Sequence, residues 1–163
     1  MPSDNTTRVS LRLKNDVHSV LVMLAVAKGI EPAALMQDIL EQAVIDHLPR
    51  ERQQELKDTK LLFDLAQDHA RQIFSEGGFT EHFTLTVIQR LMAVSETRSL
   101  YEKLIGVDAY TDGAPKKTPL NMYLGWFIKN AINAQPLLDD SGKPRRAFVK
   151  GQPIKSYTLL TAT

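Results

Sequence analysis

The first pattern in the chain is a strict alternation of polar and apolar residues over positions 8–13. A period of two is typical of a β-strand, because successive side chains point to opposite faces. This segment therefore predicts one short strand. One face carries Val9, Leu11 and Leu13, and the other carries Arg8, Ser10 and Arg12.

Two helical patterns follow the predicted strand. Apolar residues recur at i, i+3, i+4 and i+7 from Val17, with Asn15 as a fitting N-cap and Gly29 as a fitting C-terminal residue. Pro32 suits the first turn of a second helix that ends near Leu48. A lone strand leaves its backbone groups unpaired, so we expect the same strand of a second copy to pair with it. The pattern thus predicts a homodimer.

The pattern of the remaining residues predicts several helices followed by a β-hairpin. Helical patterns cover residues 51–75, 80–94, 99–106 and 118–133, and a β-hairpin pattern covers residues 147–160. The predicted fold is mainly α with little β. It has an N-terminal domain at residues 1–49, where the expected strand pairing makes the dimer, and a C-terminal helical domain at residues 50–163 that ends in the hairpin.

Composition narrows the class of protein. Hydrophobic residues make up 43% of the chain and charged residues 24%, which fits an ordinary globular protein. Cysteine is absent, which excludes disulfide frameworks and thiol nucleophiles. The longest apolar run, residues 20–27, is shorter than the ~20 residues of a membrane span, and the polar residues 1–7 do not read as a secretory signal. We expect a cytoplasmic protein with no membrane partner.

Catalytic motifs are missing from the sequence. It contains no glycine-rich phosphate loop, no His-Glu-x-x-His and no Gly-x-Ser-x-Gly, and its four histidines are far apart. Residues 108–113 begin like a calcium loop, but Pro119 stands where the bidentate glutamate is needed. We therefore expect no enzymatic activity, no cofactor and no metal.

The net charge of the chain is only +1, but basic residues are concentrated at its C-terminal end. Residues 140–163 carry five basic side chains against one acid, and residues 8–15 carry no acid at all. Local clusters of this kind can attract the phosphates of a nucleic acid.

Residues 8–48 resemble the ribbon-helix-helix (Arc/MetJ-type) DNA-binding domain. The resemblance rests on the Arg-Val-Ser-Leu-Arg-Leu strand, the Asn-Asp-Val helix start, the Ala-Lys-Gly-Ile helix end and the aliphatic second helix. It implies that a two-stranded ribbon of a dimer enters the major groove of double-stranded DNA. The implied base contacts are Arg8, Ser10 and Arg12, and the implied phosphate contacts are Lys14, Ala33 and Ala34.

The C-terminal region is similar only in element order to a winged helix-turn-helix. This resemblance implies that the helix from Thr118 faces DNA through Lys129, Asn130 and Asn133. Lys143, Arg145, Arg146 and Lys150 would then lie near phosphates. The alternative is a helical dimerisation or partner-binding domain with a solvated basic hairpin, in which Trp126 and Phe127 belong to the core.

The leading hypothesis is a dimeric, sequence-specific DNA-binding protein that acts as a transcriptional repressor in a bacterial, phage or plasmid genome. The first alternative is an accessory protein of a relaxosome or of plasmid partition. The second is an antitoxin-like protein that binds a protein partner through residues 50–163. The expected partners are double-stranded DNA and a second copy of the chain, as a homodimer or a higher even-numbered homo-oligomer.

Overall fold

The computed structural model describes residues 6–162, which form six α-helices, a 3-10 turn and four short strands. The mainly helical fold class is confirmed. The prediction that residues 1–7 are not a secretory signal concerns mainly residues 1–5, which lie outside the described range. The helices are α1 (Asn15–Lys28), α2 (Pro32–Val44), α3 (Arg50–Ser75), α4 (Phe83–Ala93), α5 (Ser95–Ile105) and α6 (Lys117–Ala131); the strands are β1 (Gln135–Pro136), β2 (Arg146–Phe148), β3 (Ser156–Thr158) and β4 (Leu160–Thr161).

The turn between α1 and α2 is set by local sequence signals. α1 ends at Gly29, which has φ 63° and ψ 31°, a left-handed conformation that glycine adopts without steric cost. The N–H of Gly29 donates to the carbonyl of Val26 at 3.0 Å, and that of Ile30 donates to Ala25 at 3.1 Å. Pro32 then starts α2. Both boundaries confirm the prediction from the sequence.

The hydrophobic core lies around α3, which packs against α4, α5 and α6. Leu62, Ala66 and Ala70 recur every four residues on one face of α3, and all three are fully buried. Their small or aliphatic side chains let the neighbouring helices approach closely. Phe83 of α4 and Leu124 of α6 are also fully buried. The core therefore fixes the orientation of α6, which carries much of the candidate site.

The C-terminal strands form two antiparallel pairs, β1 with β4 and β2 with β3, instead of the single predicted hairpin. In the β2–β3 pair, Arg146 lies opposite Thr158 and Ala147 lies opposite Tyr157. Tyr157 is buried in the core, and Ala147 packs against it. Because side chains alternate along a strand, Arg146 points to the face opposite that of Ala147.

The N-terminal strand predicted for residues 8–13 is not formed. Residues 6–14 are exposed and contain no strand, and residues 6–13 make no backbone hydrogen bond within the described chain. Alternating polarity favours a strand only where a second strand accepts from its N–H groups and donates to its C=O groups, and no segment of residues 6–162 does so for this one. The ribbon-helix-helix assignment is therefore wrong, and with it the placement of Arg8, Ser10 and Arg12 on a ribbon.

Within residues 6–162, no single helix combines the length and the apolar character needed to cross a membrane. α1 has the required length and apolar character only when it is counted together with the segment Pro32–His47, and the two segments are bent by 99° relative to each other.

Candidate nucleic-acid interface

A groove runs between α6 and the β2–β3 pair, with a cavity volume of about 740 Å³. Lys117 of α6 lines it from a buried position, and three further cationic side chains line it: Lys129 of α6, Arg146 of β2, and Lys155, which comes just before β3. They are far apart in the sequence and are brought together by the packing of the hairpin on the core. We call this cavity the basic groove.

α6 forms one wall of the basic groove with side chains that do not face the core. Leu124 and Ile128 are fully buried and face the core. Met122, Trp126 and Lys129 are spaced at i, i+4 and i+7, so they share another face of the helix, and all three line the groove. Trp126, which the sequence places in the core, is only half-buried here.

The Arg146 guanidinium is held in place by hydroxyl groups. It donates to Oγ of Ser156 at 2.7 Å and to Oγ1 of Thr158 at 3.2 Å. Both partners lie on β3, across the pair from Arg146. Neutral hydroxyls orient the planar guanidinium without cancelling its charge, so a fixed cation faces the groove.

The loop before α6 binds the buried cation of Lys117, the first residue of that helix. Lys117 is buried, and its ammonium donates to the carbonyl oxygens of Ala109 at 2.8 Å and of Thr111 at 2.7 Å. Burial is the main cause that lowers the pKa of Lys117, opposed by the carboxylate of Asp112 and reinforced by the nearby charge of Lys155. The positive charges of Lys117 and Lys155 are therefore close enough to repel each other.

The acids that line the groove form no ion pair with its cations. Glu31 and Asp112 also line it. Yet none of Lys129, Arg146 and Lys155 forms an ion pair with a carboxylate of residues 6–162. Their charge is thus available to an anionic ligand.

Tyr157 anchors the hairpin side of the groove to α4. Its hydroxyl and Nδ1 of His82 are joined by a hydrogen bond of 2.6 Å, and the two rings meet edge to face. Burial raises the pKa of Tyr157, and the charge of Glu81 raises it further. Tyr157 therefore stays neutral and supports the groove structurally.

A second, larger groove of about 800 Å³ lies between the α1–α2 pair and the helices α3 and α6. Its charges are mixed and paired: Arg52 bridges Glu41 and Glu55, at 3.7 Å and 2.8 Å, and Lys60 pairs with Asp64 at 2.8 Å. Of the cations that line this groove, Lys28 alone has no carboxylate partner within residues 6–162. A groove whose cations are mostly paired with carboxylates attracts phosphates weakly, so the smaller basic groove is the better candidate.

The structure does not bring the N-terminal candidates to the basic groove. Arg8, Ser10 and Arg12 lie in the exposed segment 6–14, which we call the arm, and Lys14 is the residue before α1, with its carbonyl accepting from the N–H of His18 at 3.0 Å. None of the four lines the basic groove.

The other candidates are scattered. Ala33 is exposed in the first turn of α2, and Ala34 lines the second groove. Lys143, Arg145 and Lys150 are exposed near the hairpin but do not line the basic groove, so Arg146 is the predicted phosphate contact that reaches it.

Asn130 is placed differently from the sequence expectation. Its side-chain amide donates to the carbonyl oxygens of Lys28 and Gly29, so it contacts the α1–α2 turn and not the basic groove. Lys155 lines the basic groove but is not among the candidate residues predicted from the sequence. The charge count at residues 140–163 includes it, but no motif distinguishes it from its neighbours.

The chain matches no protein-family model, no curated protein and no solved structure.

Proposed function

We propose that the protein binds double-stranded DNA and that the basic groove contacts the phosphate backbone. The observation that carries this proposal is the convergence of Lys129, Arg146 and Lys155 on one groove without an ion pair to any carboxylate of residues 6–162. Each cation that meets a phosphate releases condensed counterions, which favours binding and makes it depend on salt.

The groove by itself supplies affinity without sequence preference, because phosphates carry no base information. In the proposal, the arm supplies that preference. It is exposed, forms neither helix nor strand, is free of acids, and carries Arg8 and Arg12. An arginine can form a bidentate pair with O6 and N7 of guanine, and Ser10 can donate to or accept from several bases. Extended basic arms enter DNA grooves in other classes of DNA-binding protein.

We further propose that binding represses transcription, because a protein bound over a promoter excludes polymerase from it. The experiment is a reporter gene placed behind the DNA segment that the protein selects from a random pool. Expression should fall when the protein is present and recover when Arg146 and Lys155 are replaced by alanine. Unchanged expression would remove repression from the proposal while leaving DNA binding to its own test.

The test of DNA binding compares two triple variants of equal charge. Lys129→Ala, Arg146→Ala and Lys155→Ala together should weaken duplex binding on the order of 100-fold, since a hydrogen bond to a charged group contributes ~1.5–3 kcal/mol. The slope of log affinity against log salt should fall by roughly 2–3.

The matched control is Lys57→Ala, Lys60→Ala and Arg71→Ala, which removes the same charge from exposed positions on α3. This control should lose far less affinity, and its salt slope should stay close to that of the unmodified protein. Equal losses in both triple variants would show that only net charge matters and would overturn the assignment of the groove. Titration with a single-stranded oligonucleotide of the same length tests the duplex preference, and tighter binding to the single strand would contradict it.

A further inference from the structure

The first part of the described chain exposes most of its large apolar side chains. In residues 6–48, only Ala25 and Leu35 are buried. Over residues 49–162, exposed apolar side chains are sparse and scattered by comparison. Eleven exposed side chains form what we call the N-terminal apolar surface, each with 38–73% of its area exposed: Val9, Leu11, Leu13, Val17, Val20, Met23, Leu24, Val26, Ile39, Leu40 and Val44.

α1 shows most clearly that this surface lacks a cover. Between positions 17 and 27 it contains no Asp, Glu, Lys or Arg. A helix that is apolar all round is normally buried on all sides. Here Val26 is 73% exposed and Met23 is 62% exposed, so the packing of α1 on α2 covers only part of the helix.

The size of the surface suits a stable dimer. Half-exposed aliphatic side chains of this kind offer ~30–60 Å² of apolar area each, so eleven of them offer on the order of 500 Å². A standard protein interface buries ~800 Å² on each partner, of which roughly 60% is apolar. The apolar area on this chain therefore matches what one partner contributes to such an interface.

We propose that a second copy of this chain covers the N-terminal apolar surface and forms a homodimer. In a two-fold interface each residue near the axis meets its own copy, so a charged residue there would face a like charge. The uncharged stretch 17–27 satisfies this condition. The acids of α2 are directed elsewhere: Asp38 and Glu41 line the second groove, where their charge helps burial to raise the pKa of Tyr123. This inference does not depend on DNA binding.

Sedimentation equilibrium of the full chain at micromolar concentration tests the proposal. We expect a particle of twice the 18.3 kDa chain mass. Leu24→Glu with Leu40→Glu places a carboxylate on each exposed helix face and should raise the dimer dissociation constant on the order of 100-fold. Phe148→Glu is the matched control, because Phe148 is 81% exposed on β2, and it should remain dimeric. A monomeric unmodified chain, or equal behaviour of both variants, would overturn the proposal.

Cross-linking keeps the test decisive if the double variant does not fold. The chain has no cysteine, so one introduced thiol can form a disulfide only with a second copy. Single cysteines at Val17, Val20, Met23, Leu24 and Val26 are oxidised in turn, and at least one should give covalent dimers far faster than Phe148→Cys. No difference from Phe148→Cys would contradict the proposal. Monomers that bind vesicles of neutral phospholipid would show that lipid, and not a second copy, covers the surface.

Discussion

Asn130 of α6 binds the backbone of Gly29 at the α1–α2 turn. Its side-chain amide donates to the carbonyl oxygens of Gly29 at 2.9 Å and of Lys28 at 2.8 Å. These two hydrogen bonds span about a hundred residues of sequence and join the N-terminal helix pair to the core. A β-carbon added at Gly29 would lie only 2.1 Å from the Asn130 side chain. The fit between the two residues therefore depends on glycine at position 29.

Replacing Asn130 by alanine should loosen the α1–α2 pair while the core stays folded. Losing the hydrogen bonds should cost ~1–2 kcal/mol locally, which corresponds to roughly 5–30-fold faster amide exchange in α1 and α2. Hydrogen exchange measured by mass spectrometry checks this. Met122→Ala, two turns earlier on α6, is the control and should leave exchange in α1 unchanged. Equal exchange in the two variants would show that Asn130 does not hold the turn.

Gly29→Ala should destabilise the protein by more than the ~1–2 kcal/mol of a left-handed alanine, because the new methyl group also overlaps Asn130. In an Asn130→Ala background the same substitution should cost less, since the overlap is gone. Urea unfolding of the two single variants and the double variant gives the coupling free energy. Additive losses would mean that the two side chains do not compete for the same space.

Arg12 should contribute to sequence preference and Lys28 should not. In the proposed mode of binding, Arg12→Ala costs ~1–3 kcal/mol on the preferred duplex and relaxes the preference at one base position. Ser10→Ala should act in the same direction more weakly, although it removes no charge. Lys28→Ala is the charge-matched control at the far end of α1. The measurement is a titration on the preferred and a scrambled duplex, and equal weakening of both duplexes by Arg12→Ala and Lys28→Ala would exclude base readout by the arm.

The protein should lose stability in strong alkali, where the buried hydroxyl of Tyr101 loses its proton. Its buried hydroxyl donates to Oδ1 of Asn121 at 2.8 Å, and burial raises its pKa to about 12. A tyrosine in the unfolded chain ionises near pH 10. The folded state therefore holds its proton more tightly, so this stabilisation is complete below pH 10 and is lost as the pH rises from 10 to 12.

Urea unfolding at pH 7, 10 and 11.5 measures that loss. Tyr101→Phe should cost ~1 kcal/mol at pH 7 through the missing hydrogen bond, and it should lose less stability than the unmodified protein between pH 10 and 11.5. Absorbance titration at 295 nm provides a direct comparison. If all four tyrosines ionise together near pH 10, the buried environment of Tyr101 is refuted.

The sequence predicts the helices well because their signals are local. Gly29 and Pro32 mark the α1–α2 turn, and the helical spacing of apolar residues over 51–75 marks α3. The strand at residues 8–13 was predicted wrongly because alternation describes one strand and says nothing about what pairs with it.

The site was harder to predict for a similar reason. Arg146 was named among the basic residues of the hairpin region and does line the basic groove. Lys129 and Lys155 come near it only through the packing of β2–β3 against the core, which no spacing in the sequence encodes. The half-exposed position of Trp126 and the contact of Asn130 with the turn also depend on which face of α6 Leu124 and Ile128 bury.

Lys129 and Asn130 are neighbours on α6, and they point to different parts of the molecule: one lines the basic groove and the other binds the α1–α2 turn. In a dimer whose interface is formed by α1 and α2, these two neighbouring residues would fix the position of each basic groove relative to the two-fold axis. The distance between the two grooves would then be a fixed dimension of the assembly. Paired DNA sites would have to match that separation, and loosening Asn130 would let the protein tolerate a wider range of spacings between half-sites.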